Sequence, residues 1–183
     1  EADYYLPHSY SKYDMMLAIK NHTLTVNAGI DESNSAGKYV LWPEKMQQEL
    51  NQLWQKLREH YQLDRLGLIL SDSRTWPFRW GVVGTALVHC GFKQLASQIG
   101  KKDLFGRKIK MVQLNVAEAI ASASSLEMGE VAEQTPLCIV EEINHIQFQD
   151  RPPTEQELED LKIEKENDAY APLLIKANWK KTG

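Results

Sequence analysis

The chain predicts an α+β fold, a mixed or antiparallel sheet with packed helices, and three observations carry that expectation. Residues 15–20 and 24–30 (MMLAIK and LTVNAGI) are β-rich runs parted by the turn-tolerant Asn21 and His22, which reads as a hairpin. Residues 43–62 set Met46, Leu50, Leu53, Trp54, Leu57 and Tyr61 at helical three- and four-residue steps behind Pro43, a residue suited to a first helical turn. Residues 114–128 join an Ala- and Ser-rich composition to the spacing of Val116, Ile120 and Ala123, a tightly packed helix ending near Gly129. The two helices are expected to cover one face of the sheet.

The remaining elements follow in chain order. Residues 31–38 (DESNSAGK) form a polar loop whose Asp, Ser and Asn side chains can bond neighbouring backbone or a ligand. The apolar run 66–70 (LGLIL) is a strand that delivers the loop 71–81 (SDSRTWPFRWG), where Pro77 and Gly81 stop regular structure. Residues 82–92 are small and apolar and therefore buried, as strand or helix alike. A basic turn covers 100–108 (GKKDLFGRK), and 136–143 (PLCIVEEI) reads as a closing strand. Beyond residue 143 the composition turns charged, with Thr154 three before Glu157 as a helix-capping box. Tyr170, Leu173, Leu174, Ile175 and Trp179 then give the chain's end enough apolar surface to dock on the body or on a second subunit. The organisation expected is a body over 1–143 and a charged extension over 144–183.

Composition limits the classes of function. The 183 residues carry 21 Lys+Arg against 25 Asp+Glu, a net charge of -4, which points away from a nucleic-acid-binding surface. With 43% hydrophobic residues and no apolar run near the roughly 20 residues of a membrane span, a soluble globular protein that neither crosses nor binds a membrane is expected. Cys90 and Cys138 stand alone, without a CxxC, which argues for a reducing cytoplasm rather than a disulfide scaffold. The opening EADYYLPHSY has no signal-peptide pattern, and a start at Glu1 reads as a fragment or a trimmed chain.

Several chemistries fail on spacing. Gly37-Lys38 suggests a P-loop, but its first glycine would be Glu32 and the residue after the lysine is Tyr39. Gly81 and Gly84 make only a GxxG, short of a dinucleotide fingerprint. His8, His22, His60, His89 and His145 show no metal-ligand spacing and read as structural or surface residues. No GxSxG elbow is present. What remains is carboxylates in glycine-punctuated loops: Asp72 after an apolar strand, Asp103 between Gly100 and Gly106, and Glu130 after Gly129. Hard cations are commonly held by such oxygens. Arg74, Arg79, Lys101, Lys102 and Arg107 lie beside these acids in sequence, and a metal with an Arg/Lys clamp is what stabilises a transferring phosphoryl group.

Four blocks occur in order: NAGIDESN (27–34), LILSDSRTWPFRWG (68–81), GKKDLFGR (100–107) and AEAIASASSLEMGE (117–130). Together, over 24–143, they resemble the coenzyme F420-0:L-glutamate ligase family, the γ-glutamyl ligases of deazaflavin cofactor maturation. The resemblance implies a cytoplasmic enzyme that uses GTP and Mg²⁺ or Mn²⁺ to form a γ-glutamyl amide bond between L-glutamate and a small-molecule carboxylate acceptor, through an acyl phosphate. It implies Asp72, Asp103 and Glu130 as metal ligands, and Arg79 and Arg107 as catalytic phosphate contacts. It places Asn27, Asp31, Ser33 and Asn34 in the signature loop at the active site, and Met128, Gly129, Glu130, Val131, Ala132, Glu133 and Gln134 along the nucleotide. A homodimer is implied too. The chain departs from the family pattern with Thr75-Trp76 in place of Gly-Arg, Glu118 in place of Asp and Val112 in place of Thr, and most of the family's portion ahead of NAGIDESN has no counterpart in it. Two alternatives stand beside this reading. One is a diverged glutamyl ligase acting on a folate or pterin acceptor, on whose ring Trp76, Phe78 and Trp80 can stack, although packing explains them equally well. The other is a noncatalytic binding module that keeps the fold.

Overall fold

The computed structural model describes residues 1–7, 13–144 and 146–182; His8 and His145, two of the histidines read above as structural or surface residues, lie outside them. The chain divides into two compact units, one of Glu1–Pro43, Arg74–Val82 and Glu155–Gly183, the other of Glu44–Ser73 and Val83–Thr154.

The first unit is built on a four-stranded sheet. Its strands are β1 (Tyr4–Tyr5), β2 (Leu17–Lys20), β3 (Thr23–Val26) and, near the chain's end, β8 (Lys180–Lys181), in the order β3-β2-β1-β8. All its pairings are antiparallel. The expected hairpin is β2–β3, and its turn residues Asn21 and His22 have φ of 49° and 62°, the double positive φ that matches the twist of a two-residue hairpin. Ala18, Lys20, Thr25, Ala28 and Trp42 form its buried set. Lys20 is kept there by Glu1, 2.7 Å away, and by the Trp42 ring, whose centroid lies 5.4 Å from its ammonium. The tail contributes two short helices, α3 (Glu155–Glu159), which begins directly after Thr154, and α4 (Ala171–Leu174).

The second unit holds the long elements. Helix α1 (Met46–Tyr61) buries Met46, Leu50 and Trp54 and ends where Gln62 turns left-handed at φ 52°. Its start lies three residues beyond the expected Pro43, because Lys45 is the N-cap and no side chain caps it. Strand β4 (Leu68–Thr75) pairs with β5 (Val82–Cys90), which settles residues 82–90 as a strand. β6 (Leu95–Ser97) and β7 (Gln113–Asn115) pair antiparallel, and α2 (Val116–Met128) follows without a break, its first turn capped by the Asn115 side chain accepting the Glu118 N–H.

Three expectations are corrected here. The helices do not cover one face: Leu68 and Leu70 pack into the cluster of Leu50, Trp54 and Cys90, whereas Ile69 between them packs into that of Phe92, Val116 and Ala117. Successive side chains of a strand point to opposite faces, so the apolar start of β4, Leu68 to Leu70, is packed on from both sides. The loop expected over 71–81 is ordered as strand through Thr75, which leaves Asp72 inside β4 rather than after it. And residues 136–143 are no strand, with Leu137 and Ile139 each 87% exposed, because β-rich composition makes a strand only where an edge is there to pair with. Among the described residues no helix is long and apolar enough to cross a membrane.

Candidate functional site

The signature loop is organised by its own acid. Strand β3 ends in a tight turn over Asn27–Gly29, with Asn27 and Ala28 both left-handed. Asn27 is spent on anchoring, since its Oδ1 accepts the Met16 N–H at 2.8 Å. Gly29 is required: at φ +70°, a Cβ there would meet the Trp42 indole at 2.2 Å. Asp31 then accepts the N–H groups of Glu32 and Ser33 at 2.7 and 2.9 Å and the Ser33 hydroxyl at 2.6 Å, while its backbone bridges Val40. The Ser33 hydroxyl, followed by the Ser33 and Glu32 N–H groups, holds the Asp31 carboxyl below the usual carboxylate range. Asn27, Ile30, Asp31, Glu32, Ser33 and Tyr39 line an open recess of about 380 Å³. Three of the four expected loop residues thus meet at one recess, and Asn34, left-handed at φ 51°, follows them outside its lining.

The second group belongs to the other unit. The Ser73 hydroxyl donates to the Glu130 carboxylate at 2.8 and 2.7 Å to its two oxygens, which ties the end of α2 to β4 beside Asp72. Asp72 itself accepts the Ser73 N–H at 2.7 Å. After Gly129 the chain closes on itself: the Glu133 carboxylate accepts the Val131 N–H at 2.8 Å, and the Thr135 hydroxyl donates to the Met128 carbonyl at 2.8 Å. The Val131 N–H, with smaller contributions from those of Glu133 and Ala132, lowers the Glu133 carboxyl from its ordinary range. Successive N–H groups turned on one oxyanion form an anion-binding concavity. Gly129 enters the turn at φ +75°, a backbone conformation that favours glycine.

Asp103 sits in the same unit at the tip of a turn, its Oδ1 accepting the N–H groups of Phe105 and Arg107 at 2.9 and 2.8 Å. Arg79 belongs to the first unit, where its guanidinium donates to the Phe78 carbonyl at 3.0 Å. The expected residues therefore fall into two sets: Asn27, Asp31, Ser33, Asn34 and Arg79 in one unit, and Asp72, Asp103, Arg107 and residues 128–134 in the other. Asp72, Asp103 and Glu130 offer the oxygen donors that Mg²⁺ or Mn²⁺ takes. Among the described residues no three His, Cys, Asp or Glu side chains are gathered into a group that could hold an ion. Sequence reasoning gave no role to Ser73, the partner of Glu130, although it stands inside the block 68–81, nor to Tyr39, which lines the recess; both roles are set by folding.

A model of the family F420-0:Gamma-glutamyl ligase matches residues 7–142. The chain is 38% identical over 122 residues to the coenzyme F420:L-glutamate ligase of Methanopyrus kandleri, an overlap of 66% of this chain and 48% of that protein. It is 35% identical over 132 residues to its namesake from Methanocaldococcus jannaschii, covering 68% and 50% of the two chains. With that of Archaeoglobus fulgidus it shares 34% over 138 residues, 71% and 52% of the two. These matches agree on one family, and the relatives in it are named as glutamate ligases. The chain belongs to the F420-0:Gamma-glutamyl ligase family. It spans about half the length of the curated relatives it matches.

Proposed function

We propose that the chain carries part of the active site of a ligase that forms a γ-glutamyl amide bond on the carboxylate of a deazaflavin acceptor, with GTP as the phosphate donor and Mg²⁺ or Mn²⁺ as the cofactor. The observation that carries this reading is the closed turn 129–135, a cluster of backbone N–H groups already turned on an oxyanion, beside the Ser73–Glu130 pair. The relatives' names supply glutamate and the F420-type acceptor.

In this reading an acceptor carboxylate oxygen attacks the γ-phosphorus of GTP, forming an acyl phosphate and releasing GDP. The glutamate amine then attacks the acyl carbon, phosphate leaves, and the amine gives up a proton as the amide forms. The turn 129–135 receives phosphate oxygens with its N–H groups once the Glu133 carboxylate gives them up, and Arg107 offsets the phosphate charge. Asp31, kept ionised by Ser33, holds the recess loop in shape. Asp72, Asp103 and Glu130 are the candidate ligands of the divalent ion, which when bound offsets phosphate charge. No step above depends on its placement. The working form proposed is a cytoplasmic homodimer, supported by the exposed Leu126, Leu137 and Ile139.

The test is calorimetric titration of GTP into the chain with Mn²⁺, repeated on Asp72→Asn and Glu130→Gln, followed by mass spectrometry of F420-0 incubated with glutamate and GTP. Metal-dependent binding that both variants lose, with a glutamyl mass gain, is expected. Binding unchanged in the variants refutes the carboxylate roles. Glutamyl transfer to folate instead of F420-0 reassigns the acceptor, and a chain without affinity for GTP is either a noncatalytic relative or one that needs the portion its relatives carry ahead of NAGIDESN. Light scattering that stays monomeric at micromolar concentration removes the homodimer.

A further inference from the structure

The loop that follows β4 presents large aromatic rings to solvent. Phe78 is 97% and Trp80 90% exposed, and Trp76, between Thr75 and Pro77, is 44% exposed. Sequence alone leaves core packing and ring stacking as equal explanations of these residues; their exposure removes packing among the described residues. Phe78 also has φ 58°, a conformation that a bulky aromatic adopts only under constraint. The constraint is visible. The Arg79 N–H donates to the Trp76 carbonyl at 3.3 Å and its guanidinium to the Phe78 carbonyl at 3.0 Å, which closes the turn from both sides of Phe78. Tyr13 meets the Trp80 ring edge-on at 6.3 Å between centroids, and the Arg74 guanidinium lies 4.1 Å over the Trp76 ring.

Residues 73–81 (SRTWPFRWG) include two arginines and no acid, and the only large apolar side chains among them are aromatic. The loop is therefore a constrained aromatic surface with a cationic rim. A flat conjugated ring matches the aromatic faces, which bind rings in offset or edge-on stacks and cations over their faces. An anionic side chain on that ring matches Arg74 and Arg79. A ligase that builds an amide on a carboxylate acts on an acceptor carrying such a charge.

We propose that residues 74–80 are the acceptor-recognition platform: Phe78 and Trp80 stack on the acceptor's planar ring, while Arg74 and Arg79 face its anionic chain. The proposal rests on the ligase reading above and adds to it the part of the chain that selects the acceptor. Trp80 and Phe78 are specificity residues in this assignment, remote from the bond being made.

The experiment titrates F420-0, and separately FMN as a planar ring with an anionic chain, into the chain while tryptophan fluorescence is followed, for the wild type, Phe78→Ala, Trp80→Ala and Trp80→Phe. Both side chains are exposed, so the variants are expected to keep the wild-type circular dichroism. Ring stacking on an aromatic side chain is lost on alanine substitution by about 5- to 100-fold in affinity. That loss is expected in each alanine variant, with Trp80→Phe within a few-fold of wild type and GTP affinity unchanged in all. Equal ring affinity in wild type and alanine variants overturns the platform, as does a wild type that binds neither ring. So does a fall in self-association with ring binding unchanged, which assigns the loop to a second copy of the chain. The two readings separate cleanly: ring binding that depends on Phe78 and Trp80 in a chain that transfers no glutamate keeps the platform and removes the ligase, whereas transfer unimpaired in the variants does the reverse.

Discussion

Gly91→Ala tests the packing that holds β5 against α1. Gly91 follows β5 at φ 82°, and a Cβ added there would lie 2.2 Å from the Leu66 carbonyl oxygen and 2.2 Å from the Trp54 indole nitrogen. Those two atoms are themselves hydrogen-bonded at 2.8 Å, and Trp54 is only 4% exposed, so the methyl group enters a filled space between backbone and a buried ring. A left-handed alanine costs about 1–2 kcal/mol. Breaking the indole–carbonyl bond adds about 1 kcal/mol, and forcing a methyl into a packed core adds about 1–3 kcal/mol. The combined destabilisation is on the order of 3–6 kcal/mol. Gly100→Ala is the control in the same unit: its φ is 84°, but nothing lies within 4 Å of the added Cβ, so only the backbone cost of about 1–2 kcal/mol applies. Urea unfolding of both variants, read by tryptophan fluorescence and circular dichroism, measures the difference. If the two variants fall within about 0.5 kcal/mol of each other, a gap that surface substitutions alone produce, the steric argument is wrong.

Further outcomes follow from the same contacts. Burial pushes the Cys90 thiol up to about 11 and shields it completely, whereas Cys138 is partly exposed. A thiol reagent near neutral pH is therefore expected to modify one cysteine per native chain and the second only on unfolding; equal rates at both positions refute this. Asn115→Ala removes the α2 cap and is expected to cost about 1 kcal/mol in urea unfolding, most of it restored by Asn115→Asp; a shift in neither variant would show that the cap contributes nothing. The Asp31 carboxyl is lowered from 3.8, so the stability it lends the recess loop is fully present above that value and is lost as pH falls through the lower folded one. NMR titration should place its midpoint below 3.8 and move it upward in Ser33→Ala; an unmoved midpoint removes the serine from the account.

What could be read without coordinates was the part fixed by local chemistry. Asn21 and His22 tolerate positive φ, which is enough to write the β2–β3 hairpin. The apolar stripe of α1 and the Ala- and Ser-rich spacing of α2 declare their helices, the start of α2 falling within two residues of the expected 114. Pairing is where such reading stops. Ser71 to Thr75 look like a loop because they are polar, yet they continue β4 since β5 lies alongside, and 136–143 look like a strand because they are apolar, yet they pair with nothing among the described residues. Whether a segment becomes a strand depends on the neighbour, and the neighbour is not in the segment.

The candidate site divides in the same way. Asp31 and Ser33 are two residues apart, so their hydrogen bond is a local matter and the motif NAGIDESN announces it. Ser73 and Glu130 are far apart in sequence, and their contact exists only because the end of α2 is brought to β4. Asp72 and Ser73 are neighbours in the chain, and it is the Ser73 hydroxyl that the fold brings to Glu130. Glu133 makes the argument sharper still. Its position in the block 128–134 is legible, but a carboxylate bonded to the Val131 N–H is a property of the closed turn, which the chain enters through a glycine at φ +75°. A phosphate entering this turn must compete with Glu133 for the same N–H, so Glu133→Gln, which keeps the side chain's size and removes its charge, should strengthen nucleotide binding if the turn is the phosphate site. Weaker binding in that variant would mean that the carboxylate, rather than the N–H groups it covers, is what the ligand requires.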